Sequence, residues 1–304
     1  SRAEQGNETA IVEFIILSFQ SVPAVQFMLF LMFLVTYIST MLGNLLIVVP
    51  VVTNQHLHKP MFFFLGNLSF LETCYTSAIL PRLLASFLTN RYVISHNDYL
   101  LQHVFCSGLA GAECCLLATM SYDRYLTVCK PLHYAAIMGA RCCLLMVSGS
   151  WLNGLLASAI VTSLMPQLTF CGPNEINNFF CDFVPVVKLS CSDTQWIELV
   201  EFILTSLFTL SLFLLALLSY AYIGNTVLRM PSSTGRYKAF STCSSHLTGV
   251  TLFYGTLIVV YLVPQANTLR QLHKVFSVCC TALTPLVNPL IYSLRNNNIK
   301  EALR

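Results

Sequence analysis

The sequence predicts an all-α membrane protein, a seven-transmembrane helix bundle followed by a short amphipathic helix on the cytosolic side. Composition is the first reason: 56% of the 304 residues are hydrophobic, only 10% are charged, and mean hydropathy is +0.69, too apolar for a soluble domain. The second is that seven stretches reach the roughly 20 apolar residues that a spanning helix needs. They cover about 23–53, 57–87, 97–130, 139–164, 196–229, 238–263 and 272–294. They use up most of the chain, so residues 1–304 form one domain, with a polar outer tail over 1–22 and the terminal helix over 295–304. The third is where the charges lie. Lys59, Arg124, Lys130, Arg141, Arg229, Arg236, Lys238, Arg295, Lys300 and Arg304 fall on one side of the spans. Arg2, Arg82, Arg91, Lys188, Arg270 and Lys274 fall on the other. The richer side is expected to be cytosolic, which puts the N terminus outside and the C terminus inside. The first span serves as its own insertion signal. A net charge of +3 carries no nucleic-acid signature.

Taken along the chain, the outer tail carries a glycosylation sequon at Asn7-Glu8-Thr9. The second and third spans each hold a carboxylate, Glu72 and Glu113. Uncompensated charge at such depth is strongly disfavoured, so each must be protonated, hydrogen-bonded or paired with a cation. The third span ends in Asp123-Arg124-Tyr125 and stops near Lys130-Pro131, where proline lacks the N–H that would continue the helix. A helix that delivers an arginine to the membrane face suits a receptor whose inner mouth takes a cytosolic partner. The loop between the fourth and fifth spans holds Cys171, Cys181 and Cys191, an odd number in an oxidising location, so one of them needs a partner elsewhere or stays free. The adjacent pairs Cys114-Cys115, Cys142-Cys143 and Cys279-Cys280 lie in apolar helices, where small thiols pack well. No zinc site is expected, and the His103–Cys106 pair is a weak soft-metal candidate at best.

A ligand site follows from helix faces. Cys106, Ser107, Ala110 and Gly111 share one face of the outer third span, with small residues leaving volume and Ser107 offering a hydrogen bond. Glu201, Leu204, Thr205 and Phe208 keep helical spacing on the fifth span, Tyr254, Leu257, Ile258 and Tyr261 do so on the sixth, and Thr281 is the candidate on the seventh. Such a lining is apolar with a few polar points, as small-molecule pockets tend to be. No acid stands at the level of Cys106, which argues against an amine ligand of the neurotransmitter kind.

Six motifs, in order, carry a resemblance to the olfactory receptors, tetrapod type, within the rhodopsin-like G-protein-coupled receptors. They are Gly43-Asn44, Leu57-His58-Lys59-Pro60-Met61-Phe62-Phe63-Phe64-Leu65, the Met120–Tyr134 run, Ser219-Tyr220, the stretch from Lys238-Ala239-Phe240 to His246, and Pro285-Leu286-Val287-Asn288-Pro289-Leu290-Ile291-Tyr292. The resemblance implies a receptor for small, mostly apolar volatile molecules that activates the stimulatory G protein of olfactory neurons and raises cyclic AMP from the plasma membrane of their cilia. It assigns coupling and activation to Asp123, Arg124, Tyr125, Tyr220, Arg236, Lys238, Asn288, Pro289 and Tyr292. Arg236 and Lys238 are basic and cannot restrain Arg124, which leaves Asp123 and Tyr220 for that task. It also places Glu72 and Glu113 near Asn44 and Asn288 in a small polar cavity, either a sodium or proton site or two neutral acids in a structural network. No other cofactor and no catalysis are expected. It implies a Cys171–Cys191 bridge as well. The family's further cysteine, 25 residues before the motif arginine and normally bridged to the middle loop cysteine, is here Tyr99. Cys106 lies about 10 Å deeper than Tyr99, whereas a disulfide needs Cα atoms about 6 Å apart. Cys181 is therefore expected to remain a thiol under a looser lid, with Tyr99 stacking against the loop. A metabolite or carboxylate receptor of the same family is the alternative. A transporter or channel fits less well, since the chain shows no internal repeat.

Overall fold

The computed structural model describes residues 13–16, 23–57, 59–89, 93–170, 175–176, 183–262, 281 and 284–295. Its long helices are α1 (Pro23–Thr53), α2 (Pro60–Thr89), α3 (His96–Cys129), α5 (Ala140–Leu164), α7 (Gln195–Arg229) and α8 (Ser233–Leu257), with the shorter α4 (Pro131–Ile137), α6 (Phe183–Val187) and α9 (Thr284–Arg295). Five of the long ones, all but α2, are long and apolar enough to cross a membrane. In α2 the buried Ser69, Glu72 and Thr76 dilute the apolar character of a helix of 30 residues. Apolar side chains such as Phe27 on α1 and Leu207 and Leu218 on α7 face outward, 61%, 65% and 59% exposed, as expected of surfaces that meet lipid. The expected spans and the helices agree closely except at the sixth. There α8 starts a turn earlier than expected, because Ser232 caps it by accepting the Gly235 N–H at 3.2 Å. Arg236 thus belongs to the first turns of a helix. At its other end α8 runs into a π turn over Ile258–Leu262. Most of the seventh span and the terminal helix lie outside the described residues.

The central helix is α3. Ser95 caps it by accepting the Asp98 N–H at 3.2 Å, and at the far end Pro131 opens α4 directly after Lys130. Its contact with α5 is set by glycine. A Cβ built on Gly154 would stand 2.3 Å from the Gly108 carbonyl oxygen and 2.4 Å from the Ala112 nitrogen, so the two backbones touch. Polar bonds continue the seam upward. The Ser158 hydroxyl donates to the Val104 carbonyl at 2.9 Å, Ser107 meets Ser158, and His103 Nδ1 lies 2.9 Å from Thr162 Oγ1.

The outer tail is not wholly unstructured, contrary to its polar appearance. β1 (Glu13–Ile16) is the middle strand of a three-stranded sheet, antiparallel to β2 (Val93–Ser95) and parallel to β3 (Glu175–Ile176). Phe14 is completely buried and contacts Tyr99 edge-on at 5.9 Å and Phe170 at 5.3 Å. Tyr99, only 1% exposed, is therefore covered by the tail, which in turn meets the loop. This end of the bundle is the lid end, opposite the end that carries Arg124.

Candidate functional site

Below the lid, α2, α3, α5, α7 and the end of α8 enclose a cavity of about 160 Å³. Cys106, Ser107, Ala110 and Gly111 line it from α3, Glu201, Leu204, Thr205 and Phe208 from α7, and Leu257, Tyr261 and Thr281 complete the expected wall. Tyr254 and Ile258 are not part of it. Tyr254 is fully buried beneath the floor, where its hydroxyl donates to the Cys114 carbonyl at 2.7 Å and its ring packs on Phe213 and Phe253. Ile258 opens the π turn.

Sequence reasoning missed one side of the cavity. Ala157, Ser158 and Val161 of α5, Tyr75 and Ile79 of α2, Gln102, His103 and the lid residue Phe183 all line it. The available signal was the spacing of Gly154, Ser158 and Thr162 along one face of α5. Two expected roles also change. The Ser107 hydroxyl donates to the His103 carbonyl at 2.6 Å and meets Ser158, so it stitches the wall. A Cβ on Gly111 would sit 3.0 Å from the Gly154 Cα, so its missing side chain serves the helix contact as well as the cavity. On the opposite wall the Glu201 carboxylate accepts a hydrogen bond from Thr205 at 3.1 Å. A second space, about 440 Å³, adjoins it and is lined by Lys188, Glu198, Glu201 and Tyr261 among others.

At mid-depth Glu72 and Asn288 meet, Nδ2 donating to Oε1 at 2.6 Å, with Asn44 beside them. Glu113, 3% exposed, shares this interior. Glu72 Oε2 and Glu113 Oε1 have no hydrogen-bond partner among the described residues. Two carboxylates with free oxygens are a hard donor set, which suits a hard cation or a shared proton. Gly43 accommodates the approach of α9, since a Cβ there would stand 3.0 Å from the Pro289 Cβ.

At the opposite end Arg124 is 9% exposed and its guanidinium lies against the Met61 sulfur. The two groups expected to restrain it lie within electrostatic reach of it, and each also has a hydrogen-bond partner of its own. Asp123 accepts from the Tyr134 hydroxyl at 2.8 Å, and Tyr220 pairs with His246. Burial and the neighbouring Asp123 push the Tyr134 phenol up, which keeps it a proton donor. Tyr125 stacks with Tyr122 and packs on Tyr222, with the Lys130 ammonium 6.0 Å from its ring. Arg236 is exposed near the start of α8. Lys238 falls within α8 and Tyr292 within α9.

Cys106 forms no disulfide, so it does not take the place of the family cysteine absent at Tyr99. Cys191 is disulfide-bonded, and its partner lies outside the described residues, as do Cys171, Cys181 and the Asn7 sequon. Among the described residues no group of three His, Cys, Asp or Glu side chains is arranged to hold a metal.

A family model described as olfactory receptor matches residues 33–304. The chain is similar to olfactory receptor 11A1 of Homo sapiens, 49% identical over 98% of this chain and 94% of that protein. Olfactory receptor 6N1 of Homo sapiens is 45% identical, over 99% and 96%. Olfactory receptor 5AR1 of Mus musculus is 43% identical, over 99% and 97%.

Proposed function

Because the chain belongs to the olfactory receptor family, a family of receptors and not of enzymes, we propose that it binds small, mostly apolar volatile odorants in the cavity beneath the lid and activates a stimulatory G protein of the olfactory type, raising cyclic AMP. The lid end faces outside and the Arg124 end the cytosol, in accord with the distribution of Lys and Arg. The receptor acts at the plasma membrane of olfactory cilia, with Asn7 glycosylated and Cys171 bridged to Cys191.

The observation that carries this reading is the position of Tyr254. It lies directly under the cavity, donates to the Cys114 carbonyl of α3 at 2.7 Å, and belongs to the helix whose other end stands beside Arg124. A ligand touching Leu257 and Tyr261 biases α8 between two positions, a population shift in which only differential contact matters. When the cytosolic part of α8 moves outward, the Tyr220–His246 pairing opens and Arg124 is uncovered for the G protein. Asp123 stays tied to Tyr134 and holds α4 in register with α3. Glu72 and Glu113 would hold a sodium ion or share a proton at the joint of α2, α3 and α9, which would offset one of their two charges and favour the resting arrangement. When bound, the ion would supply charge compensation only.

Arg124→Ala tests the assignment. Odorant-evoked cyclic AMP is expected to fall to background while surface labelling stays near that of the parent. Full signalling by this variant would contradict the reading.

A further inference from the structure

We infer that Met61, in the first turn of α2, is the residue that positions Arg124 in the resting receptor, its sulfur keeping the guanidinium inside the bundle through a bond weak enough to be exchanged. The inference rests on the odorant-receptor reading and names a positioning residue for its coupling step.

Met61 sits where the chain leaves it little freedom. Pro60 opens α2 with its φ already set for a helix, and the Lys59 carbonyl accepts the N–H groups of Phe62 and Phe63 at 3.0 and 3.1 Å. Phe62, Phe64 and Leu65 on the same turns are buried, so this end of α2 is anchored in the core. Met61 itself is half-buried and packs against that core. From there its sulfur accepts from Arg124 Nη2.

A guanidinium carries five N–H donors, and Arg124 at 9% exposure has little water to give them to. Among the described residues its one hydrogen bond goes to the Met61 sulfur. Asp123 and Tyr220 act on it by charge and proximity, while their hydrogen bonds go to Tyr134 and His246. Cys243 and His246 of α8 stand close by as well. A thioether is polarisable but a weak acceptor, so the arginine is held softly. An inserted partner offers more, because its backbone oxygens accept charge-assisted bonds of about twice the strength. Exchange of sulfur for oxygen thus favours the coupled state. Movement of α8 uncovers Arg124 but does not release it, since Met61 belongs to α2. Release from the sulfur is a separate step, made only in the resting state, and its cost enters the ligand-free balance directly.

The test uses the full-length receptor with Met61→Leu, which keeps the volume and removes the acceptor, and Met61→Gln, which keeps the length and supplies an oxygen. Two readings are taken without any odorant. One is cyclic AMP in reporter cells at equal surface labelling, the other the affinity of the purified receptor for a stimulatory G protein stripped of nucleotide. Met61→Leu is expected to raise both about threefold over the parent, and Met61→Gln to lower both by a similar factor. Where the parent's ligand-free cyclic AMP already equals that of receptor-free cells, affinity alone decides the Met61→Gln arm. Both variants disturb the same packing, so a merely structural role would move both readings in one direction. Shifts of the same sign, a reversed order, or variants equal to a parent that binds the G protein overturn the inference alone. Met61→Leu combined with Arg124→Ala should stay at the level of receptor-free cells, and output above it would also overturn the inference, because the effect would not pass through Arg124. A surface-labelled parent that neither binds the G protein nor answers a broad volatile panel sinks the odorant-receptor reading as well.

Discussion

The helix α3 meets two neighbours in opposite ways. Against α5 the backbones touch through Gly108, Gly111 and Gly154, and hydroxyl and imidazole groups bond across the seam. Against α8 the junction is made of side chains, above all Tyr254 reaching the Cys114 carbonyl. A backbone-to-backbone contact has one geometry and cannot slide without clash. A contact made by one phenol and its surrounding rings can be exchanged for another of similar energy. The cavity therefore has one fixed wall and one that can move, and the movable one leads to the Arg124 end. Binding can act on the bundle only through such a wall.

This contrast can be broken at either side. The largest effect is expected from Gly154→Val. Its side chain has nowhere to go except into the Gly108 and Ala112 backbone, and overpacking of this kind costs about 1–3 kcal/mol or more. Loss of surface expression and of thermal stability in detergent is the expected result, and a normally expressed, normally responsive variant would refute the fixed wall. A smaller effect follows from Phe14→Ala at the lid. Removing a buried aromatic costs about 3–5 kcal/mol in a soluble core, less here because the strand pairing of β1 remains. Local opening of the lid should increase, read as faster hydrogen exchange at Val93–Ser95 with unchanged exchange in α5. The smallest is Tyr254→Phe, which deletes one hydrogen bond worth about 1 kcal/mol and leaves the ring packing. If that bond favours the resting position of α8, ligand-free cyclic AMP should rise about fivefold at equal surface density. No change in basal output would move the joint elsewhere.

Much of this architecture was legible in the sequence, because spanning helices announce themselves by length and hydropathy. The helices α1, α3, α5 and α7 fall where the apolar stretches end. The start of α8 was misplaced, because the serine cap at Ser232 lies in a stretch without a hydrophobic signal. On the candidate site, residues on faces already suspected to meet were brought together. Those on α5 were missed because Gly154 and Ser158 look like ordinary packing residues until their partners on α3 are known. Tyr254 shares the helical spacing of Leu257 and Tyr261, yet depth along the axis sets it below the cavity. Periodicity gives the face of a helix and not the level. The strand β1 was invisible for another reason. Four residues are too few to show a period, and their partners lie far away in the chain.

That last feature bears on how the molecule is made. The sheet joins Ile15 to Val93 on one side and to Glu175 on the other, three places separated by whole membrane-spanning helices. With the lid end outside, as proposed above, the first strand is exported early and can pair with β2 once α2 is in place, but its other edge waits until the loop after α5 has followed it across the bilayer. Closure of the lid is thus a late, non-local step. A strand with one edge open and Phe14 uncovered is the kind of surface that retention machinery in the secretory pathway inspects. Passage of the receptor through that pathway then depends on a strand that does not line the cavity. Leader sequences and epitope tags fused to this end should therefore be joined ahead of Glu13 through a flexible spacer, so that the strand stays free to pair.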